Sequence, residues 1–234
     1  MTQPGFHDLI SDTQLRKAID VLGYEAPTPV QLAAIPAATA GKNLIVSSKT
    51  GSGKTAAFLL PAIQAMLARP CVNPASTRML ILTPTRELAR QIVKNAEQIL
   101  KFTGFKVGMV CGGEELKYQK AMLRKNPEII VGTPGRLAEH ISHKSTEFSG
   151  LEFLVLDEAD RMLDMGLSDD VLKITNTCRT ERQTLLFSAT MEQKGLRHLI
   201  KQVILGEAEE IYIDEKPNAI NQQMLIADDF KHKE

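Results

Sequence analysis

The sequence lacks the marks of a secreted, membrane-spanning or disulfide-held protein. Its cysteines, Cys71, Cys111 and Cys178, are odd in number and widely spaced, with no Cys-x-x-Cys pair. That pattern is a poor fit to a disulfide framework or a zinc site, so a reducing, cytoplasmic setting is the expectation. No basic segment followed by an apolar one opens the chain, so no secretory signal is visible. The most apolar stretch, 56–68, is interrupted by Pro61 and Gln64 and is too short to cross a bilayer, so no membrane partner is expected. Neither sign of charge is in excess: Lys plus Arg number 28, and so do Asp plus Glu. Net charge therefore neither indicates nor forbids a nucleic-acid partner, because local geometry can hold phosphate in a neutral domain. Internal repeats and low-complexity segments are also missing. What remains is an ordinary globular composition, 43% hydrophobic and 24% charged over 234 residues, large enough to bury a core without disulfides or metal.

Short aliphatic runs alternate with segments of helical period. The runs lie at 44–46, 79–82, 106–110, 128–131, 153–156 and 184–187, with a seventh candidate at 210–213. Several are continuously apolar, as parallel strands covered on both faces require. Helices are predicted at 56–68, 85–101, 115–125, 135–143, 168–178 and 192–201. Repeated strand–helix–strand units give a doubly wound α/β domain with a mostly parallel sheet and helices on both faces. Before it, Ser11 is the predicted cap of a helix that carries Leu15, Ile19 and Leu22 and ends at Gly23, and a second helix starts near Pro29. The organisation read from the chain is an N-terminal helical appendage at 1–36, the main domain at 37–213, and a polar linker at 214–234.

Ser48-Lys49-Thr50-Gly51-Ser52-Gly53-Lys54-Thr55 follows the first run and precedes a helical pattern. This is the strand–loop–helix setting of a phosphate-binding loop. The glycines turn backbone N–H groups inward, and the helix N-terminus adds partial positive charge. Lys54 would reach the β and γ phosphates, and the Thr55 hydroxyl would ligate Mg²⁺. The alternative is a glycine-rich turn with a solvated lysine. At the end of the run 153–156 stand Asp157-Glu158-Ala159-Asp160, on the edge where ligands bind in open α/β sheets. Asp157 is placed to hold Mg²⁺ and Glu158 to activate an attacking water. An acidic first turn of the next helix is the competing explanation.

Thr-Pro recurs at Thr28-Pro29, Thr83-Pro84 and Thr133-Pro134, each read as N-cap threonine and first-turn proline. At the first, Gln31 completes a capping box, and local sequence favours that role. The other two follow strands and bring Arg86 and Arg136 to what reads as the same helix position, suited to a polyphosphate chain. Plain capping with solvated arginines is the alternative. Gly112-Gly113 permits close backbone approach or forms an ordinary turn. The hydroxyls of Ser188-Ala189-Thr190 are placed to bond Asp160 or to cap the next helix.

In this order the motifs resemble the first RecA-like domain of DEAD-box ATP-dependent RNA helicases, with Arg161-Met162-Leu163-Asp164-Met165-Gly166 resembling bacterial members. Residues 23–31 resemble the Q motif with Phe6 as its upstream aromatic, 48–55 motif I, 84–89 motif Ia, 112–113 the GG element, 133–136 motif Ib, 157–160 motif II and 188–190 motif III. The resemblance implies that Gln31 reads the adenine edge, that Tyr24 stacks on the base, and that ATP is preferred to GTP. It implies that the loop Ser48 to Thr55, with Lys49, Thr50, Gly51, Ser52 and Gly53, binds the phosphates. Glu158, Lys54 and Asp157 would be catalytic. Thr85, Arg86, Gly113, Thr133 and Arg136 would contact the RNA sugar–phosphate backbone, and Asp160, Ser188 and Thr190 would couple hydrolysis to RNA. Two departures stand out: Ser48 replaces a usual alanine, implying altered loop packing, and Leu167 replaces a common phenylalanine. No segment resembles motifs IV, V or VI, which belong to the family's second RecA-like domain. The resemblance therefore implies half an active site, slow hydrolysis and no unwinding by these residues alone. The alternative is an ATP-gated RNA-binding or assembly module without strand separation.

Overall fold

The computed structural model describes residues 3–69 and 76–213. Cys71 and the linker proposed at 214–234 lie outside them. Seven strands, β1 Asn43–Ser47, β2 Met79–Leu82, β3 Val107–Val110, β4 Ile129–Gly132, β5 Phe153–Leu156, β6 Gln183–Ser188 and β7 Ala208–Tyr212, form one sheet in the order β3-β4-β2-β5-β6-β1-β7. Every pairing is parallel, where the sequence led us to expect a mostly parallel sheet.

The period-two alternation of strand side chains explains the two-sided core. Leu44, Val46, Met79, Ile81, Ile129, Val131, Phe153, Val155, Leu185 and Phe187 enter one apolar cluster. Leu80, Leu82, Ile130, Leu154, Leu156 and Leu186 enter another. The first face is covered by α1 Phe6–Leu9, α2 Thr13–Leu22, α3 Pro29–Thr39, α4 Lys54–Ala68 and α5 Arg86–Ile99, the last running into a 3-10 turn, Leu100–Phe102. The second is covered by α6 Leu116–Leu123, α7 Pro134–Ser142, α8 Ala159–Asp164, α9 Ser168–Thr175 and α10 Lys194–Val203. Helix α5 shows why such segments dock: Ala89, Ile92, Ala96 and Ile99 form one buried stripe. The N-terminal helices belong to the same core, since Phe6, Leu15, Ile19, Val30 and Ile35 are buried with the strand residues.

Three local expectations are corrected. The cap of α2 is Asp12, whose carboxylate accepts from the N–H groups of Gln14 and Leu15. Ser11 is instead engaged by Gln64, whose Oε1 accepts from its N–H at 2.7 Å and its hydroxyl at 3.1 Å. Helix α5 is capped by Thr85 rather than Thr83, because the Thr83 N–H still bonds the Gly132 carbonyl beside the sheet. Arg86 is therefore the first residue of its helix, whereas Arg136 is the third residue of α7, so the two do not share a helix position. Helices α1 and α8 were not anticipated; four and six residues are too few to show a period.

Candidate functional site

Apart from residues 23–31, which run from the end of α2 into α3 ahead of β1, the loops that carry the motifs leave the carboxyl ends of strands, so parallel pairing gathers them on one rim. On the half around β5, β6 and β1 lies a cleft of about 650 Å³. It is lined by Phe6, Tyr24, Gln31, Thr50, Gly51, Gly53, Lys54, Thr55, Asp157, Glu158 and Arg161, among others. The loop after β1 and the acids after β5 therefore open on the same space.

The phosphate-loop segment is braced from within. Lys54 is buried and its Nζ donates to the Ser48 carbonyl at 3.2 Å, curling the side chain back over the loop. Ser48, the departure noted in the sequence, has a buried hydroxyl 3.1 Å from that of Ser52, so the extra oxygen ties the two ends of the turn together. Lys49 and Thr50 are exposed and Thr55 is half-buried. Gly53 adopts φ 94°, and a Cβ there would stand 2.5 Å from Gln31 Nε2. Only glycine satisfies both constraints.

Gln31 is both a cap and a brace. Its Oε1 accepts from the Thr28 N–H at 2.9 Å, the predicted half of the capping box. Its Nε2 donates to the Gly53 carbonyl at 3.0 Å, tying α3 to the phosphate loop. The amide keeps one further donor and acceptor capacity on the side chain. The reciprocal half does not form: the Thr28 hydroxyl is buried without a partner. Tyr24 is half-buried, with its ring centroid 5.5 Å from that of Phe6.

Asp157 is buried, and burial raises its carboxyl to about 6 although the neighbouring Lys54 cation pulls it down. Its Oδ1 has no hydrogen-bond partner. A hard, orphaned carboxylate oxygen sharing a cleft with the Thr55 hydroxyl fits a Mg²⁺ ion that retains waters and phosphate oxygens. Glu158 sits in the left-handed region at φ 57°, unusual for a non-glycine residue and of a kind concentrated at working sites. Its carboxylate pairs with Arg161 at 3.2 Å.

Behind these acids, Asp160 Oδ2 accepts from the N–H of Ala189 and of Thr190, both at 3.1 Å, and from the Thr190 hydroxyl at 3.3 Å. The predicted Ser188–Asp160 bond is replaced: the Ser188 hydroxyl donates to the Thr190 carbonyl at 2.6 Å and shapes the turn itself. Nor do these residues cap the next helix, since α10 starts after Gln193.

The other half of the rim, beyond β2, β4 and β3, collects Thr85, Arg86, Gly113, Thr133 and Arg136. The Arg86 guanidinium packs onto Gly113, where a Cβ would lie 2.2 Å from Nη1. Arg136 Nη1 donates to the Glu114 carbonyl at 2.8 Å and its Nε pairs with Glu139 at 3.0 Å. Sequence reasoning missed what supports this half. Buried Gln119 donates to the Cys111 carbonyl at 2.6 Å, and its Oε1 lies 2.9 Å from His140 Nε2. Burial lowers the His140 imidazole from its ordinary value, with Arg136 adding to the effect. Gln91 and Asn95, one turn apart on α5, also line the cleft unforeseen.

An all-parallel sheet with a glycine-rich strand–helix loop opposite strand-end acids defines a phosphate-loop α/β domain of the RecA-like class. A family model described as DEAD/DEAH box helicase matches residues 28–199, and the chain belongs to that family. It is 44% identical over 197 residues to DEAD-box ATP-dependent RNA helicase 28 of Arabidopsis thaliana, covering 84% of this chain and 25% of that protein. It is 38% identical over 238 residues to ATP-dependent RNA helicase SrmB of Escherichia coli, covering 100% of this chain and 53% of that one. Among solved structures, a DEAD box protein from the hyperthermophile Methanococcus jannaschii matches with TM-score 0.81 and 36% identity, over 89% of this chain and 55% of that one. The chain thus spans between a quarter and about half of these relatives. Among the described residues no helix is long and apolar enough to cross a membrane.

Proposed function

We propose that this chain is the ATP-binding first RecA-like domain of a cytoplasmic ATP-dependent RNA helicase that couples ATP binding and hydrolysis to RNA clamping and local duplex unwinding. The observation that carries the proposal is the cleft that Lys54, Thr55, Asp157 and Glu158 share with Gln31 and Tyr24. Tyr24 stacks on the adenine, and the remaining hydrogen-bonding capacity of the Gln31 amide meets its edge. The N–H groups of 50–55 and the Lys54 ammonium hold the phosphates. Thr55 and Asp157 would hold Mg²⁺, which when bound neutralises charge on the β and γ phosphates. Glu158 takes the proton of a water that attacks the γ phosphorus; the bond to the β–γ bridging oxygen breaks, and ADP leaves with that electron pair.

Thr85, Arg86, Gly113, Thr133 and Arg136 receive the RNA sugar–phosphate backbone on the other half of the rim, a contact that carries little sequence information. Asp160 ties the acids after β5 to the turn after β6 through residues 189 and 190, and that turn passes the state of the γ phosphate on to the RNA contacts. A second RecA-like domain of the longer protein closes over both halves and supplies arginines to the transition state. The arrangement on one rim, with Asp160 bridging β5 and β6, supports this division of labour.

The test is single-turnover hydrolysis by this chain and by Glu158→Gln. Substitution is expected to leave ATP affinity intact and to slow hydrolysis by about 10²–10⁴-fold, the usual contribution of a positioned base. Equal rates in the two proteins would remove Glu158 from the chemistry.

A further inference from the structure

We propose that the outer face of α6 is a second contact surface for single-stranded RNA, with Tyr118 as a base-stacking platform and Lys117, Arg124 and Lys125 as phosphate contacts. It rests on the RNA role proposed for the rim. Tyr118 is 63% exposed, one of few large apolar side chains left in solvent. From Leu116 to Asn126 the sequence holds four cations and no acid, in a chain of zero net charge. Lys117, Tyr118, Ala121, Arg124 and Lys125 are all exposed; the spacing of the first three puts them on one side of α6, and Arg124 and Lys125 follow in the turn at its C-terminal end.

Helix stability does not account for the pattern. Arg124 and Lys125 at the C-terminal end complement the helix dipole, but Lys117 lies in the first turn, where a cation opposes it. The Lys117 ammonium stands 4.8 Å above the Tyr118 ring and pairs with Glu115 at 2.8 Å. Both partners of that pair are largely exposed, so it is weak and leaves the cation available.

The rotation of α6 is fixed from below. Gln119, next to Tyr118, is buried and bonded to Cys111 and His140, so Tyr118 is held outward. Arg136 bonds the Glu114 carbonyl just before the helix, which places the start of α6 beside the proposed rim contacts. Strand β3, which α6 follows, is the sheet edge farthest from β1 and β7. A strand lying across Arg136 and leaving the rim on that side runs onto Tyr118. Exposed aromatics flanked by cations are how sequence-tolerant single-strand binders hold successive bases.

The test is fluorescence anisotropy with a labelled 20-nucleotide oligouridylate over a salt series. The proteins are this chain, Tyr118→Ala, Tyr118→Phe, the triple change Lys117→Ala, Arg124→Ala, Lys125→Ala, and Arg136→Ala as a reference for the rim; equal thermal midpoints check folding. Tyr118→Ala is expected to weaken binding about tenfold, and Tyr118→Phe to retain it. The triple change is expected to lower the slope of log affinity against log salt by about 2. Unchanged affinity in Tyr118→Ala, with loss in Arg136→Ala, would overturn the α6 surface and leave the rim intact. Tyr118→Ala that alters sedimentation but not RNA affinity makes the face a protein contact and also overturns it. No binding by the unsubstituted chain at any salt removes the RNA role of the rim and this surface together.

Discussion

Gly53→Ala isolates the physical demand that the phosphate loop makes on its sequence. At φ 94° a side chain suffers left-handed strain of about 1–2 kcal/mol. The new methyl also meets Gln31 Nε2 at 2.5 Å and Thr28 Oγ1 at 3.0 Å. Relief requires Gln31 to withdraw, which breaks its bond to the Gly53 carbonyl and its bond from the Thr28 N–H. Each such bond contributes about 0.5–1.5 kcal/mol net, so the total destabilisation is about 2–5 kcal/mol. For a domain of this size that lowers the thermal midpoint by roughly 4–20 °C. The displaced loop also turns N–H groups away from bound phosphate. Losing one charge-assisted bond of about 1.5–3 kcal/mol costs tenfold or more in ATP affinity. Differential scanning calorimetry and titration with a fluorescent ATP analogue read the two effects. Gly104→Ala is the control, because a Cβ there meets nothing within 4 Å and the backbone needs no special conformation. A Gly53→Ala protein that melts and binds like the control would refute the close approach of Gln31 to the loop.

Two further outcomes follow from the buried network. Asp160→Ala removes the acceptor shared by two backbone N–H groups and a hydroxyl of an exposed turn, three bonds that contribute about 0.5–1.5 kcal/mol net each. Chemical denaturation should show a loss of about 1.5–4.5 kcal/mol, and a loss under 1 kcal/mol contradicts the bridge. His140 is buried neutral, held below its ordinary 6.5 by burial and by the Arg136 and Lys120 cations, against the opposing pull of Glu139. Between the lowered folded value and 6.5 the unfolded chain binds more protons, so stability rises with pH in that window and is lost as pH falls. His140→Gln should lose less stability than the unsubstituted chain between pH 7 and pH 5 in urea unfolding; identical losses count against a neutral buried imidazole.

The elements that sequence made legible are those with local causes. Glycines at 51 and 53 before Lys54, acids directly after an apolar strand, and continuous apolar runs each act within a few residues. Parallel pairing then brought the motifs that follow strands to one rim without further instruction, whereas residues 23–31, ahead of β1, reach it through the docking of α3. Strand order was not legible, since β1 pairs with β6 and β7 through contacts more than 130 residues apart. Caps moved by one or two residues where a distant group competed, as the Gln64 side chain does for Ser11 and the Gly132 carbonyl for Thr83. The support of Arg136 by Gln119 and His140 joins residues on two helices separated by a strand, and neither helix's sequence period reports it. Gln31 was legible as a cap, but its second bond to Gly53 depends on α3 lying against the loop 22 residues later.

The most direct measurement is isothermal titration of ATP, with Mg²⁺ and with chelator, into this chain, Lys54→Ala and Asp157→Asn. Binding that needs both side chains, and that strengthens with Mg²⁺ only while Asp157 is present, is the predicted result. A flat isotherm for the unsubstituted chain, or the same affinity after Lys54→Ala, would contradict a common triphosphate pocket for the loop and the acids.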